Sequence, residues 1–169
     1  RMPKGKAVRV RVIESHGRRI LQAEERPGEP WDVYPSAVGI VTQVNRDKRF
    51  CHVELQGGLH CRILHKDDPG AVSLQIGDAV DVKCRFDRMH MTLNVLSWKE
   101  SRSLPSVDFC KPFTGSCKDT DARHGARVED VWIPVKLFED AGLSVATRIK
   151  GLAIKEKKGW KAITLAPAD

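Results

Sequence analysis

Three observations predict an all-β chain: two small five-stranded barrels in tandem, preceded by an N-terminal β-hairpin. Short runs with apolar residues at alternate positions recur from end to end, sustained helical periodicity is missing outside one short stretch, and Gly, Pro, Asn or Asp separates one run from the next. The second half also repeats the plan of the first, which is the signature of a duplicated small barrel.

The elements follow in order. Ala7–Ile13 alternates Val8, Val10 and Val12 with Arg9 and Arg11, and Ser15-His16-Gly17 turns the chain into Arg18–Ala23, giving a first hairpin. Arg26-Pro27-Gly28-Glu29-Pro30 is a breaker cluster, and Trp31–Pro35 leads out of it. Residues 1–36 have no counterpart within a single barrel. They read either as the end of a preceding barrel or as a hairpin packed against the next one.

Strands are expected at Ala37–Asn45, Phe50–Leu55, Leu59–Leu64, Ala79–Phe86 and Met91–Trp98, with turns at Gly57-Gly58 and Gly77-Asp78, so residues 37–98 form the first barrel. Lys99–Lys111 is polar, holds Pro105 and lacks a period, which assigns 99–112 to a linker. In residues 113–169 the plan returns as Phe113–Thr120, Gly125–Glu129, Val131–Pro134, Thr147–Lys155 and Trp160–Leu165. One helical turn is placed at Lys136–Gly142.

The charge of +7 and pI of about 9.3 favour a polyanionic partner. Lys and Arg outnumber Asp and Glu by eight to five in residues 1–36, eight to seven in 37–98 and thirteen to ten in 99–169. No block is a polybasic tail, so a basic surface has to be assembled by folding. Nothing approaches the roughly 18 consecutive apolar residues of a membrane span. Arg1–Lys6 lacks the apolar core of a secretory signal, and Arg1 ahead of Met2 reads as a processing scar or an excised fragment. Five Cys without framework spacing fit reduced thiols and a cytoplasmic location.

The stretch that carries chemistry is Lys48-Arg49-Phe50-Cys51-His52-Val53 and its return, Leu59-His60-Cys61-Arg62-Ile63-Leu64-His65. Period two puts Phe50, His52 and Glu54 on one face and Cys51, Val53 and Leu55 on the other. His60 and Arg62 then join the first face, with Leu59, Cys61 and Ile63 inward. A basic sheet face bearing aromatic rings suits a single nucleic-acid strand, because stacking accepts any base and cations take the phosphates.

The same alternation argues against a metal. Cys51 and Cys61 point away from His52 and His60, and Cys110 and Cys117 are spaced too widely for a zinc knuckle. There is no phosphate loop, nucleophile elbow or metalloprotease pair, so no catalytic residue is assigned and the chain is read as non-enzymatic. Blander readings stand beside these. Phe50 would fit a barrel mouth, Trp160 the second core, and the cations solvated sheet edges.

These residues resemble the cold-shock domain, a member of the OB-fold class. Gly39-Ile40-Val41-Thr42-Gln43-Val44-Asn45 is similar to its opening strand. Arg46–Val53 is similar to its first nucleic-acid-binding motif, with Phe50 and His52 at the aromatic positions. Arg62–Asp68 is similar to the second motif, with His65 at the usual histidine, and Leu74–Val80 is similar to the turn into the fourth strand. Downstream, Phe113-Thr114-Gly115-Ser116 and Val131-Trp132-Ile133-Pro134 resemble divergent copies, with Trp132 at an aromatic position, and Lys157–Ala162 would be the closing hairpin.

The second copy reads Arg123-His124-Gly125-Ala126-Arg127-Val128, with Arg127 in place of an aromatic, so stacking there falls to a guanidinium or is absent. Two alignments of the second motif in the first half place either Ile63 and His65 or His60 and Arg62 on the binding face. Binary pattern favours the latter.

The resemblance implies single-stranded RNA, or less favourably DNA, as partner. Bases would stack on Phe50, His52 and Trp132. Lys48, Arg49, Arg62, Arg123 and Arg127 would engage phosphates, with His60 and His65 beside them. No cofactor, metal, small-molecule ligand or membrane enters this reading. The rival is an OB-type scaffold that docks another protein. A place in the RNA-guiding part of a larger protein is a further expectation, by analogy with nucleases that carry tandem cold-shock-like barrels.

Overall fold

Alternation becomes strand wherever the sequence carries it. A computed structural model describes residues 8–15, 17–25, 27–28, 34–67, 69–87, 89, 92–121 and 125–168. Strands β1 (Val8–Ser15) and β2 (Arg18–Glu25) form a two-stranded antiparallel sheet of their own, in which Val10 and Val12 remain exposed.

The first barrel consists of β3 (Ser36–Asn45), β4 (Phe50–Leu55), β5 (Leu59–Leu64), a 3-10 turn (Pro69–Ser73), β6 (Ala79–Asp87) and β7 (Thr92–Glu100). It closes in the order β3-β4-β5-β7-β6, and β5 with β7 is the parallel pair. This is the order and sense of an OB-type barrel. Strand β3 closes it by serving two neighbours, β6 through residues 36–40 and β4 through residues 39–45. Gly39 sits where the two pairings overlap, and a Cβ there would collide with the side chains of Val53 and Leu55. Val41, Cys51, Val53, Cys61, Ile63, Leu74, Val80 and Val82 fill the interior.

The second unit holds β8 (Cys110–Gly115), β9 (Lys118–Asp121), β10 (Gly125–Val128), β11 (Val131–Pro134), helix α1 (Val135–Ala141), β12 (Ile149–Glu156), β13 (Gly159–Ala162) and β14 (Ala166–Pro167). β8 pairs β12, the order continues β12-β13-β11-β10-β9, and β11 with β13 is parallel. This is the OB plan again, with one change. The role of β3 is divided between β8 and β9, because the ladder breaks at Ser116–Cys117. The sheet therefore curls into a half-barrel. α1 ends on Gly142 in the left-handed region (φ 63°) and places Phe138 in the core with Ile133, Ile149 and Ala153.

Three expectations change. The linker shortens, because β7 runs on to Glu100 and β8 begins at Cys110. The expected strand Phe113–Thr120 splits in two. The run Trp160–Leu165 ends as strand at Ala162, and β14 adds a further pairing to β12.

The two barrels share a third apolar cluster. Ile40, on the outside of β3, is fully buried with Phe109, Cys110, Ile154 and Ile163, flanked by Ala79 and Leu152. Gly77 lies so close by that a Cβ would stand 2.8 Å from Cγ2 of Thr164. Among the described residues no helix is long and apolar enough to cross a membrane.

Candidate nucleic-acid interface

Strands β4 and β5 build the face that the alternation nominates. Along β4, Cys51, Val53 and Leu55 are buried while Phe50, His52 and Glu54 are half-buried on the outer side. On β5, Cys61 and Ile63 point in and His60 and Arg62 are exposed. The register sets His52 opposite Arg62 and Glu54 opposite His60, so all five side chains share one surface.

Within that surface the groups touch. Nε–H of Arg62 donates to Nε2 of His52 at 3.1 Å, and Cζ of Arg62 lies 5.0 Å from the Phe50 ring centre. Phe50 meets His52 edge-on at 5.3 Å and 74°, and His60 follows at 6.2 Å, tilted by 42°. With Nε–H taken by His52, the exposed guanidinium still has its terminal N–H groups to offer an anion. Partial burial lowers the His52 pKa, and the Arg62 and His60 charges lower it further. The accepting Nε2 is consistent with a neutral ring.

Lys48 and Arg49 are exposed in the turn that feeds β4. The side-chain oxygen of Asn45 accepts from Lys48 N–H at 2.8 Å, and Arg49 adopts φ 56°, a left-handed conformation that normally favours glycine.

His65 leaves the face. It is 8% exposed, with Nε2 3.3 Å from Sγ of Cys51, whose thiol also reaches the Ala71 carbonyl at 3.6 Å. Burial pushes the Cys51 thiol up, with Asp78 adding to the shift. Period two causes this placement, because His65 follows Cys61 and Ile63 on the inner side, and its N–H donates to the Arg49 carbonyl at 3.0 Å. Leu59, expected inward, is 54% exposed beside the Gly57-Gly58 turn. The alignment with His60 and Arg62 outward is the one the structure has.

On the second barrel Arg127 and Trp132 are a cross-strand pair, with Cζ of Arg127 6.0 Å from the Trp132 ring. Arg123 lies outside the described residues. Trp160 packs partly against the second core, its outer part flanked by Lys111 and Lys155 at 4.5 and 5.1 Å. Lys111 is held by Asp130 at 2.8 Å, and that bond lowers the Asp130 pKa. Trp160 is therefore mainly structural, whereas Trp132 presents a ring beside a cation.

Two surface residues absent from the sequence assignment belong here. Glu54 is nominated by the same alternation as Phe50 and His52, and Lys161 neighbours Trp132 in the parallel β11–β13 register. Beside Arg62, where β5 and β7 share only two paired positions, a groove of about 670 Å³ opens between His60, Phe86, Asn94 and Trp98. All five cysteines are free, and among the described residues no three metal-ligating side chains converge. No protein-family model, curated protein or solved structure matches the chain.

Proposed function

We propose that this chain is a non-enzymatic module that binds single-stranded nucleic acid, RNA in preference to DNA, in the manner of a divergent tandem cold-shock protein working in the cytoplasm. The observation that carries the reading is the Phe50–His52–Arg62 cluster. Two rings and an oriented guanidinium stand together on the outside of a closed OB-type barrel, with Lys48 and Arg49 at its edge. Rings offer stacking to unpaired bases, and the cations offer contacts to the phosphates between them.

The test is fluorescence anisotropy with labelled RNA and DNA oligomers of one sequence over a salt series. Binding should weaken on a log–log slope of about −0.7 per phosphate contacted, with RNA the tighter ligand. A flat salt response, or no binding at low salt, overturns the reading.

A second reading, docking of a protein segment, is favoured by one feature. Leu59 and Phe86 are about half exposed (54% and 49%), and Phe86 lines the groove beside Arg62. That reading expects Leu59→Ser with Phe86→Ser to abolish partner capture and to leave oligomer binding unmoved.

A further inference from the structure

The outer faces of the two barrels meet at one buried seam. On the second barrel, outward residues paired in register run Arg127–Trp132–Lys161–Ile154 across β10, β11, β13 and β12. On the first, the row runs Ile40–Glu54–His60 across β3, β4 and β5, with His52 and Arg62 two residues further along their strands. The rows join because Ile154 and Ile40 are buried in the same cluster. Neighbouring strands stand ~4.8 Å apart and registered partners share a face, so the path from Arg127 to His60 covers on the order of 30 Å.

Charge marks the junction. Glu54 is acted on by His60 from its own barrel and by Glu156 and Lys161 from the other, and Lys161 Nζ donates to Glu156 at 3.0 Å. A phosphate is repelled over Glu54 and attracted on the β13 side, where Lys157 and Lys158 are also exposed. The seam is apolar and buried, with Ile40 on one side and Phe109, Cys110, Ile154 and Ile163 on the other, so the faces keep one relative position. A strand bound to the first barrel then meets the second at high effective concentration.

We propose that a single nucleic-acid strand runs unbroken over both barrels, stacking on Trp132 at one end and on His52 and Phe50 at the other, with Lys161 carrying its backbone across the Ile40–Ile154 seam. This rests on the function proposed above and fails separately from it.

Anisotropy with oligomers of about 4 and about 12 nucleotides, lengths within the range of OB-type sites, reads the difference. The long oligomer should bind at least ~100-fold more tightly than the short one. Lys161→Glu and Arg127→Glu, both on the outward face, should each cut that ratio by about tenfold or more, with thermal melts confirming the fold. Lys161→Gln, with its smaller change of charge, should cut it less. In the unmodified protein, a long oligomer with a photoreactive nucleotide at each end should cross-link to peptides of both β4–β5 and β10–β11.

A ratio of only a few fold, unmoved by these variants, with cross-links on one barrel, overturns the continuous track and leaves single-barrel binding intact. Absence of binding by either length at low salt overturns the functional reading itself.

Discussion

The two barrels carry one plan with its chemistry exchanged. Arg62 in the first and Trp132 in the second are the matching outward residues, each facing the parallel last strand of its barrel through Asn94 or Lys161. Their antiparallel partners are His52 and Arg127. Ring and cation have traded strands, yet each barrel keeps one of each at this place. What differs is the surrounding support. In the first barrel Phe50 and His60 extend the pair to three rings and a guanidinium in contact, whereas in the second the pair is 6.0 Å apart. The backbone differs in parallel: β3 is continuous and closes its barrel, while β8 and β9 divide the same task across a break. Position is conserved by topology, and strength is set by how many neighbours the platform has.

The sharpest way to break this comparison is to strip each platform in turn. Phe50→Ala with His52→Ala removes two stacking partners at about 1–3 kcal/mol each, so oligomer affinity should fall by roughly 2–6 kcal/mol. Trp132→Ala should cost only about 1–3 kcal/mol. Neither Phe50 nor His52 belongs to the buried core of the first barrel, so the melting transition should stay in place. Titration and melting of the same samples check both halves. Equal losses from the two barrels, or collapse of the fold, would show that the platforms are not graded as described.

A smaller effect separates the buried histidine from the exposed ones. His65→Ala leaves the Cys51 thiol without its 3.3 Å partner and opens space at the barrel mouth. Stability should drop by about 1–3 kcal/mol in chemical denaturation. The salt slope of binding should not change, because His65 faces no ligand. A changed slope with unchanged stability would return His65 to the binding face.

The particular residues explain what the sequence could convey. β4, and β5 from His60 onward, are legible to the residue, because strict alternation around Cys51, Val53, Cys61 and Ile63 leaves only one way to turn a half-buried strand. The direction of His65 is legible too, since it continues the inward series Cys61 and Ile63. Its contact with the Cys51 thiol, and the Ala71 carbonyl that a 3-10 turn brings to that thiol, are not. The split of β8 from β9 does leave a mark, since Gly115-Ser116 stands at the break and interrupts the strand-type residues. The seam left a faint mark. Gly39-Ile40-Val41 puts buried residues at successive positions, and a strand apolar on both faces is a strand covered on both sides. That mark needs Ile154 and Phe109 as partners before it means a second barrel.

The smallest predicted effect is a pH dependence that only one barrel should show. His52 has its pKa lowered in the folded protein by partial burial, then by Arg62 and His60. The unfolded chain therefore takes up this proton first, and stability rises with pH in the window just below the ordinary histidine value. The contribution is complete above about pH 6.5 and is lost as the pH falls through that window. Binding should move the other way. A protonated ring can no longer accept from Arg62, which frees the guanidinium and adds a second charge for phosphate. Oligomer affinity should thus rise modestly on acidification while the melting temperature falls. His52→Gln should flatten both trends. The matching place on the second barrel holds Arg127 in place of an imidazole. In a His52→Gln background the residual affinity carried by Arg127 and Trp132 should be nearly level across this range. A pH response of unchanged size in that variant would move its source to His60 or elsewhere.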